Sequence, residues 1–194
     1  MMDLDHRLSA NFSFWELIRS ETAERHVHLV EQQENPPEEV LSALTWLCKL
    51  ALQPIRDAIG RPLSVSSGYR CGEVNTLIGG VDTSTHCAGE AADTSVATLT
   101  QGLMDKVRER TLEVTGKQIR GNVNLNFYLF AWICLNLNAL DIDQVIHEYG
   151  PKAGSPAWIH ISTSERQNKR EILVIGRYTT TRVLTFHEAL NLGV

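Results

Sequence analysis

His86 and Asp93 stand seven positions apart, with Ala88, Gly89, Ala91 and Ala92 between them. Small residues let backbone approach backbone, so an imidazole and a carboxylate at this spacing can turn into one cavity. Far along the chain, Trp158-Ile159-His160-Ile161-Ser162 reads as a short buried strand with a histidine at its centre. Two imidazoles and one carboxylate make a three-donor catalytic zinc set, leaving the fourth tetrahedral position for water. The same three residues also fit a turn histidine, a capping aspartate and a satisfied core histidine. Spacing alone leaves the two readings level.

Hydrolysis at such a centre needs a base to take a proton from water. Glu148 ends the apolar-alternating run Asp143–Glu148, which is expected to pair as a hairpin with the strand bearing His160. A strand-end glutamate there reaches over a metal without ligating it, although outside the zinc reading it is simply an exposed carboxylate. Glu90 is the competitor. His147 alternates with Glu148, so it should face the other side of the sheet as a structural histidine. Arg70 follows the turn Ser67-Gly68-Tyr69, and a guanidinium there would hold a substrate carboxylate or an oxyanion. A plain surface arginine is the rival reading. Trp158 and Tyr69 are pocket walls or core.

The elements that must position these groups follow from periodicity and caps. Ser13-x-x-Glu16 is a capping box opening a helix from Phe14 to about Arg25, after which His26 and His28 fall in a loop. Asn35-Pro36-Pro37-Glu38-Glu39 is the clearest helix start, with prolines in the first turn and acids at the positive end of the dipole. Val40, Leu44, Leu47, Ala51 and Ile55 then recur at helical spacing as far as Ile59, with Gly60 as cap and a kink at Pro54. Leu63–Ser66 reads as a strand, and Gly79-Gly80 breaks a short helix. Ala91–Val96 reads as a strand carrying Asp93, Thr100–Leu112 as a helix, and Phe127–Leu137 as a buried helix. Ile142–Tyr149 and Ala157–Ser162 are strands joined by a Gly/Pro/Ser turn, and Ile172–Ile175 is a further strand. Helices lead and strands cluster later. The expected class is therefore α+β, with N-terminal helices packed on a small, mainly antiparallel sheet.

At 194 residues the chain is expected to form a single domain over 1–194. Hydrophobic content of 43%, charged content of 21% and a net charge of −5 suit a soluble globular protein and argue against nucleic acid. No run approaches a membrane span, and the first residues lack a signal-peptide pattern, so synthesis in the cytoplasm is expected. Cys48, Cys71, Cys87 and Cys134 show no regular spacing and read as buried thiols. Cys71 and Cys87 lie close enough to the site in sequence to leave a bridge or a soft metal ligand open.

The run Ser84-x-His86-x-x-Gly89-x-Ala91-x-Asp93 resembles the signature of the zinc D-Ala-D-Ala metallopeptidases. That group includes D-alanyl-D-alanine carboxypeptidases, vancomycin-resistance dipeptidases and the hedgehog signalling domain. Asn11-Phe12-Ser13, Asn35-Pro36-Pro37, Leu52-Gln53-Pro54-Ile55-Arg56, Val65–Arg70, Asn75 and Trp158–Ser162 are similar to the carboxypeptidase-type branch. Many members of that branch are bacterial or phage-encoded. The resemblance implies one zinc ion on His86, Asp93 and His160, with Glu148 as general base and Arg70 and Ser84 contacting substrate. Glu148 matches by its place on the strand before the last ligand, as in hedgehog. The dipeptidases carry their glutamate three residues before the last histidine, where this chain has Ala157. A second departure is the apolar 115–140 region, which reads as an insertion reshaping one wall of the cleft. The implied reaction is hydrolysis of a peptide bond next to a D-amino acid in peptidoglycan, by a monomer acting on the wall after lysis, release or virion delivery. The alternatives are a non-catalytic zinc-binding module, as in hedgehog, and a phage structural protein.

Overall fold

Helix initiation at the N-terminus follows the caps. Ser13 accepts from Glu16 N at 3.3 Å and opens α1 (Phe14–Ile18). The helix expected to run on to Arg25 is instead two. Ser20 takes extended backbone and caps α2 (Glu21–Arg25) by accepting from Ala23 N, because a serine hydroxyl competes for the amides of a new first turn. A 3-10 turn over Val27–Leu29 leads into α3 (Val30–Glu34). The computed structural model describes residues 6–150, 154–176 and 179–194, so the centre of the Gly/Pro/Ser turn lies outside the described residues.

From Glu38 to Ile59 the chain is helical throughout, as α4 (Glu38–Leu47), a π segment (Cys48–Leu52) and α5 (Gln53–Ile59). Where a kink was expected at Pro54, the helix carries that π segment in the turn before the proline. Its wider hydrogen-bond spacing accommodates a residue that has no N–H to give. Gly60, left-handed at φ 62°, closes the helix. Leu44, Leu47, Cys48, Ala51, Leu52 and Ile55 are fully buried along one stripe.

The remaining elements are β1 (Ser64–Ser67), α6 (Gly72–Leu77), β2 (Ala91–Ser95), α7 (Gln101–Thr115), α8 (Leu125–Asn136), β3 (Gln144–Glu148), β4 (Trp158–Ser162), β5 (Glu171–Gly176), β6 (Thr179–Leu184) and α9 (Phe186–Asn191). The strands form one sheet in the order β1-β2-β4-β3-β5-β6, antiparallel except for the β3–β5 pair. The architecture is α+β, with a mainly antiparallel sheet. β6 and α9 were not expected from the sequence; α9 carries a complete capping box between Thr185 and Glu188.

The 115–140 region supplies α8, which is apolar all round and buried. Phe130 on α8 meets His147 edge-on, with ring centroids 5.4 Å apart. Asn126 ties the helix start to the sheet, accepting from Val96 N and donating to Ala157 O. His147 and Glu148 point to opposite faces of β3, so α8 covers the face turned away from Glu148. A helix buried on that side is core to the sheet, which is why its sequence is apolar on every side.

Candidate metal centre

Strand register assembles most of the site. β2 and β4 pair so that Asp93 stands opposite His160. β3 and β4 pair so that Ile146 stands opposite His160, and Glu148 opposite Trp158. By alternation Asp93, His160 and Glu148 share one face, Glu148 lying diagonally from His160 at a spacing of about 7–8 Å between backbones, within reach of a long side chain.

His86 comes from the loop before β2, and the glycine of the motif explains how. Gly89 has φ 74°, and a Cβ there would sit 2.7 Å from Val40 O and 2.9 Å from a Val40 methyl. Only glycine permits both the left-handed turn and the close approach to α4. The His86 ring is oriented by Gly68 O, 2.7 Å from Nδ1. A carbonyl can only accept, so Nδ1 carries the proton and Nε2 presents its lone pair. Gly68 is itself pressed on α1: a Cβ would fall 2.2 Å from Leu17 O. The loop is braced further by Tyr69 N donating to Leu17 O, and by buried Gln33. Gln33 Nε2 donates to Ile18 O and Tyr69 O, and its Oε1 accepts from Cys71 N.

Three buried donor atoms meet at one point. His86 Nε2 is 3.1 Å from His160 Nδ1, and Asp93 Oδ1 is 3.3 Å from the first and 3.2 Å from the second. Donors at about 2.0–2.1 Å from a tetrahedral zinc ion stand roughly 3.3 Å from one another, so this triangle has the dimensions of one face of that tetrahedron. His160 Nε2 faces Thr85 Oγ1 at 3.5 Å, which turns Nδ1 inward. Among the described residues this is the group of His, Cys, Asp and Glu side chains that could hold a metal ion. The donor types and their spacing fit zinc.

Electrostatics divide the carboxylates. Burial works to raise Asp93, but hydrogen bonding with His160 and His86 outweighs it and holds the carboxyl well below its usual range. Burial, then the Asp93 charge, pushes Glu148 up. Trp158 Nε1 donates to Glu148 Oε2 at 3.0 Å and so fixes the carboxylate while leaving its other oxygen. Tyr149 packs on Trp158, with ring centroids 5.2 Å apart. Arg70 reaches into the site: its Nη2 donates to Asp93 Oδ2 at 2.6 Å and its Nε to Ser67 Oγ at 2.8 Å. Ser84, half-buried, lies two residues before His86 in the same loop. Glu90 is raised by burial and by Glu165 and Asp143 rather than by the donor group. Cys71 and Cys87 are free thiols and stand outside the donor group.

Sequence reasoning brought His86, Asp93, His160, Glu148 and Arg70 to one place. It missed Ser67, Gln33, the Gly68 carbonyl and Thr85. A ligating imidazole requires a partner for its second nitrogen, which is a signal that something must fill the role; a backbone carbonyl leaves no trace in residue types.

A family model described as Peptidase M15 matches residues 10–122, just over half of the chain. The matched segment contains Arg70, Ser84, His86 and Asp93, whereas Glu148 and His160 lie beyond it and are brought to the same face by strand pairing. No curated protein matches the chain.

Proposed function

The chain belongs to the peptidase M15 family, and from that premise we propose that it is a zinc metallopeptidase hydrolysing peptide bonds next to D-amino acids in peptidoglycan stem peptides or cross-links. The observation that carries the reading is the donor triangle of His86, Asp93 and His160 with Glu148 on the same face of the sheet.

His86 Nε2, His160 Nδ1 and Asp93 Oδ1 would hold the ion. When bound, zinc supplies Lewis acidity, polarising a carbonyl oxygen and making water more acidic. Everything else falls to the protein's own side chains. Glu148 is the general base: its free carboxylate oxygen takes the proton of the attacking water and delivers it to the departing amine nitrogen. Trp158 holds the other Glu148 oxygen, so the base does not swing away between the two transfers. Burial keeps Glu148 more basic than a solvated glutamate, which suits proton abstraction. Ser84, on the loop beside His86, contacts the substrate backbone, and the Arg70 charge draws a substrate carboxylate toward the site. Among the described residues no helix is long and apolar enough to cross a membrane, and the substrate is met at the wall after lysis, release or virion delivery.

The test is digestion of purified murein by wild type and by Glu148→Gln, with products identified by mass and zinc measured in both. The expected outcome is full zinc content in the variant with turnover lower by about 10²–10⁴-fold. Undiminished cleavage by the variant would move the base elsewhere, Glu90 first. A zinc-loaded wild type that cleaves no murein fragment would favour a binding module, and a wild type that takes up no metal a structural protein.

A further inference from the structure

We propose that Arg70 is a positioning residue of the metal centre, holding Asp93 so that only one of its carboxylate oxygens faces the two imidazoles. The inference rests on the metallopeptidase reading only for the identity of the ion.

The two oxygens of Asp93 have different partners. Oδ1 lies 3.2 Å from His160 Nδ1 and 3.3 Å from His86 Nε2. Oδ2 is taken by Arg70 Nη2 at 2.6 Å, a short charge-assisted bond. The guanidinium is fixed in its turn. Nε donates to Ser67 Oγ at 2.8 Å, and the Arg70 main-chain N–H donates to His86 O at 3.2 Å. A planar group tied at Nε and at Nη2 has little freedom left about its long axis. The side chains of the pair are only 15% and 8% exposed, so solvent and salt screen it weakly.

A free carboxylate binds a cation through one oxygen or through both. With Oδ2 engaged by a half-buried cation, two-oxygen binding requires breaking the Arg70 bond and leaving the guanidinium charge unpaired. The chain therefore presents three donor atoms rather than four, and the remaining position stays open for chemistry. Lysine cannot substitute fully, because one ammonium nitrogen does not reproduce a fork anchored on Ser67. The main-chain bond to His86 O adds that the residue orienting Asp93 is also tied to the loop that carries the first histidine.

The experiment compares wild type with Arg70→Met, Arg70→Lys and Ser67→Ala, each loaded with zinc and, separately, with cobalt(II). Competition against a chromophoric chelator should show zinc affinity lower by about 10–100-fold in Arg70→Met, the usual consequence of losing an outer partner of a ligand, with partial recovery in Arg70→Lys and a smaller loss in Ser67→Ala. The cobalt protein should give the strong visible bands of a four-coordinate ion in wild type and weaker bands, of higher coordination number, in Arg70→Met. Circular dichroism and melting of the metal-free proteins check folding; if Arg70→Met does not fold, Ser67→Ala and Arg70→Lys carry the test. Wild-type zinc affinity together with an unchanged cobalt spectrum in the folded variants overturns the proposal, including the case in which they show only a raised KM, since Arg70 would then serve substrate alone. A zinc-loaded wild type inert towards murein would sink the peptidase reading and leave these metal measurements standing.

Discussion

Replacing His147 with leucine should remove part of the protein's sensitivity to acid. The imidazole is buried on the α8 side of β3, against Phe130, and neither ring nitrogen has a hydrogen-bond partner. Burial lowers its pKa from the ordinary 6.5 to about 4, because a charged ring there would lose its hydration and recover only a little from its own backbone. The unfolded chain therefore binds a proton that the folded chain refuses between those two values. Stability linked to His147 is fully present above pH 6.5, is lost progressively as pH falls, and stops changing below about pH 4. The whole span corresponds to about 3 kcal/mol, of which roughly 2 kcal/mol is lost between pH 7 and pH 5. Leucine has a similar volume and no nitrogen to strand, so at pH 7 His147→Leu should be as stable as wild type or slightly more so. Urea unfolding of both proteins at pH 7 and pH 5 measures the effect as a difference of differences, since all other titrating groups are common to the two. Parallel losses in the two proteins, within about 0.5 kcal/mol, would show that His147 is hydrated or partnered in solution and refute the reasoning.

Two further outcomes follow from the site's supports. Gly89→Ala should cost about 2–3 kcal/mol in urea unfolding and weaken zinc binding by chelator competition, because φ 74° disfavours any Cβ and this one would press on Val40 O. Trp158→Phe removes the N–H that stabilises the charged form of Glu148, so the acidic limb of kcat/KM against pH should move to higher pH while zinc content holds; an unmoved limb would mean the indole bond is absent in the working enzyme.

Local physics was written plainly in some stretches of the chain and not in others. The helix over Glu38–Ile59 was legible because its start, its apolar period and its glycine cap all agree. Asp93 and His160 could be placed on strands from alternation alone, yet their pairing spans 67 positions and is a property of sheet register. The motif from Ser84 to Asp93 carried most of the site, since its Gly89 answers to a close approach to α4 that the structure displays. The break at Ser20 was hidden because the same hydroxyl suits a helix interior facing solvent or a new cap. α8 was visible as apolar, but its place behind the sheet depends on packing against His147 and on the bond from its own Asn126 to Ala157 O. The supports of the ligands were least legible: Gln33 looks like a surface glutamine in a polar helix, and its burial is decided by two backbone loops remote in sequence.

The opposition of Asp93 and His160 across β2 and β4 has a kinetic side. Two donors lie early in the chain and the third far downstream of α8, so a cation meets a complete binding set only after that long loop has closed. A metal ion held by His86, Asp93 and His160 would then work as a removable clasp between the two portions of the polypeptide. Its main effect would fall on how slowly the native chain comes apart, with little acceleration of assembly, and chelation would open the clasp.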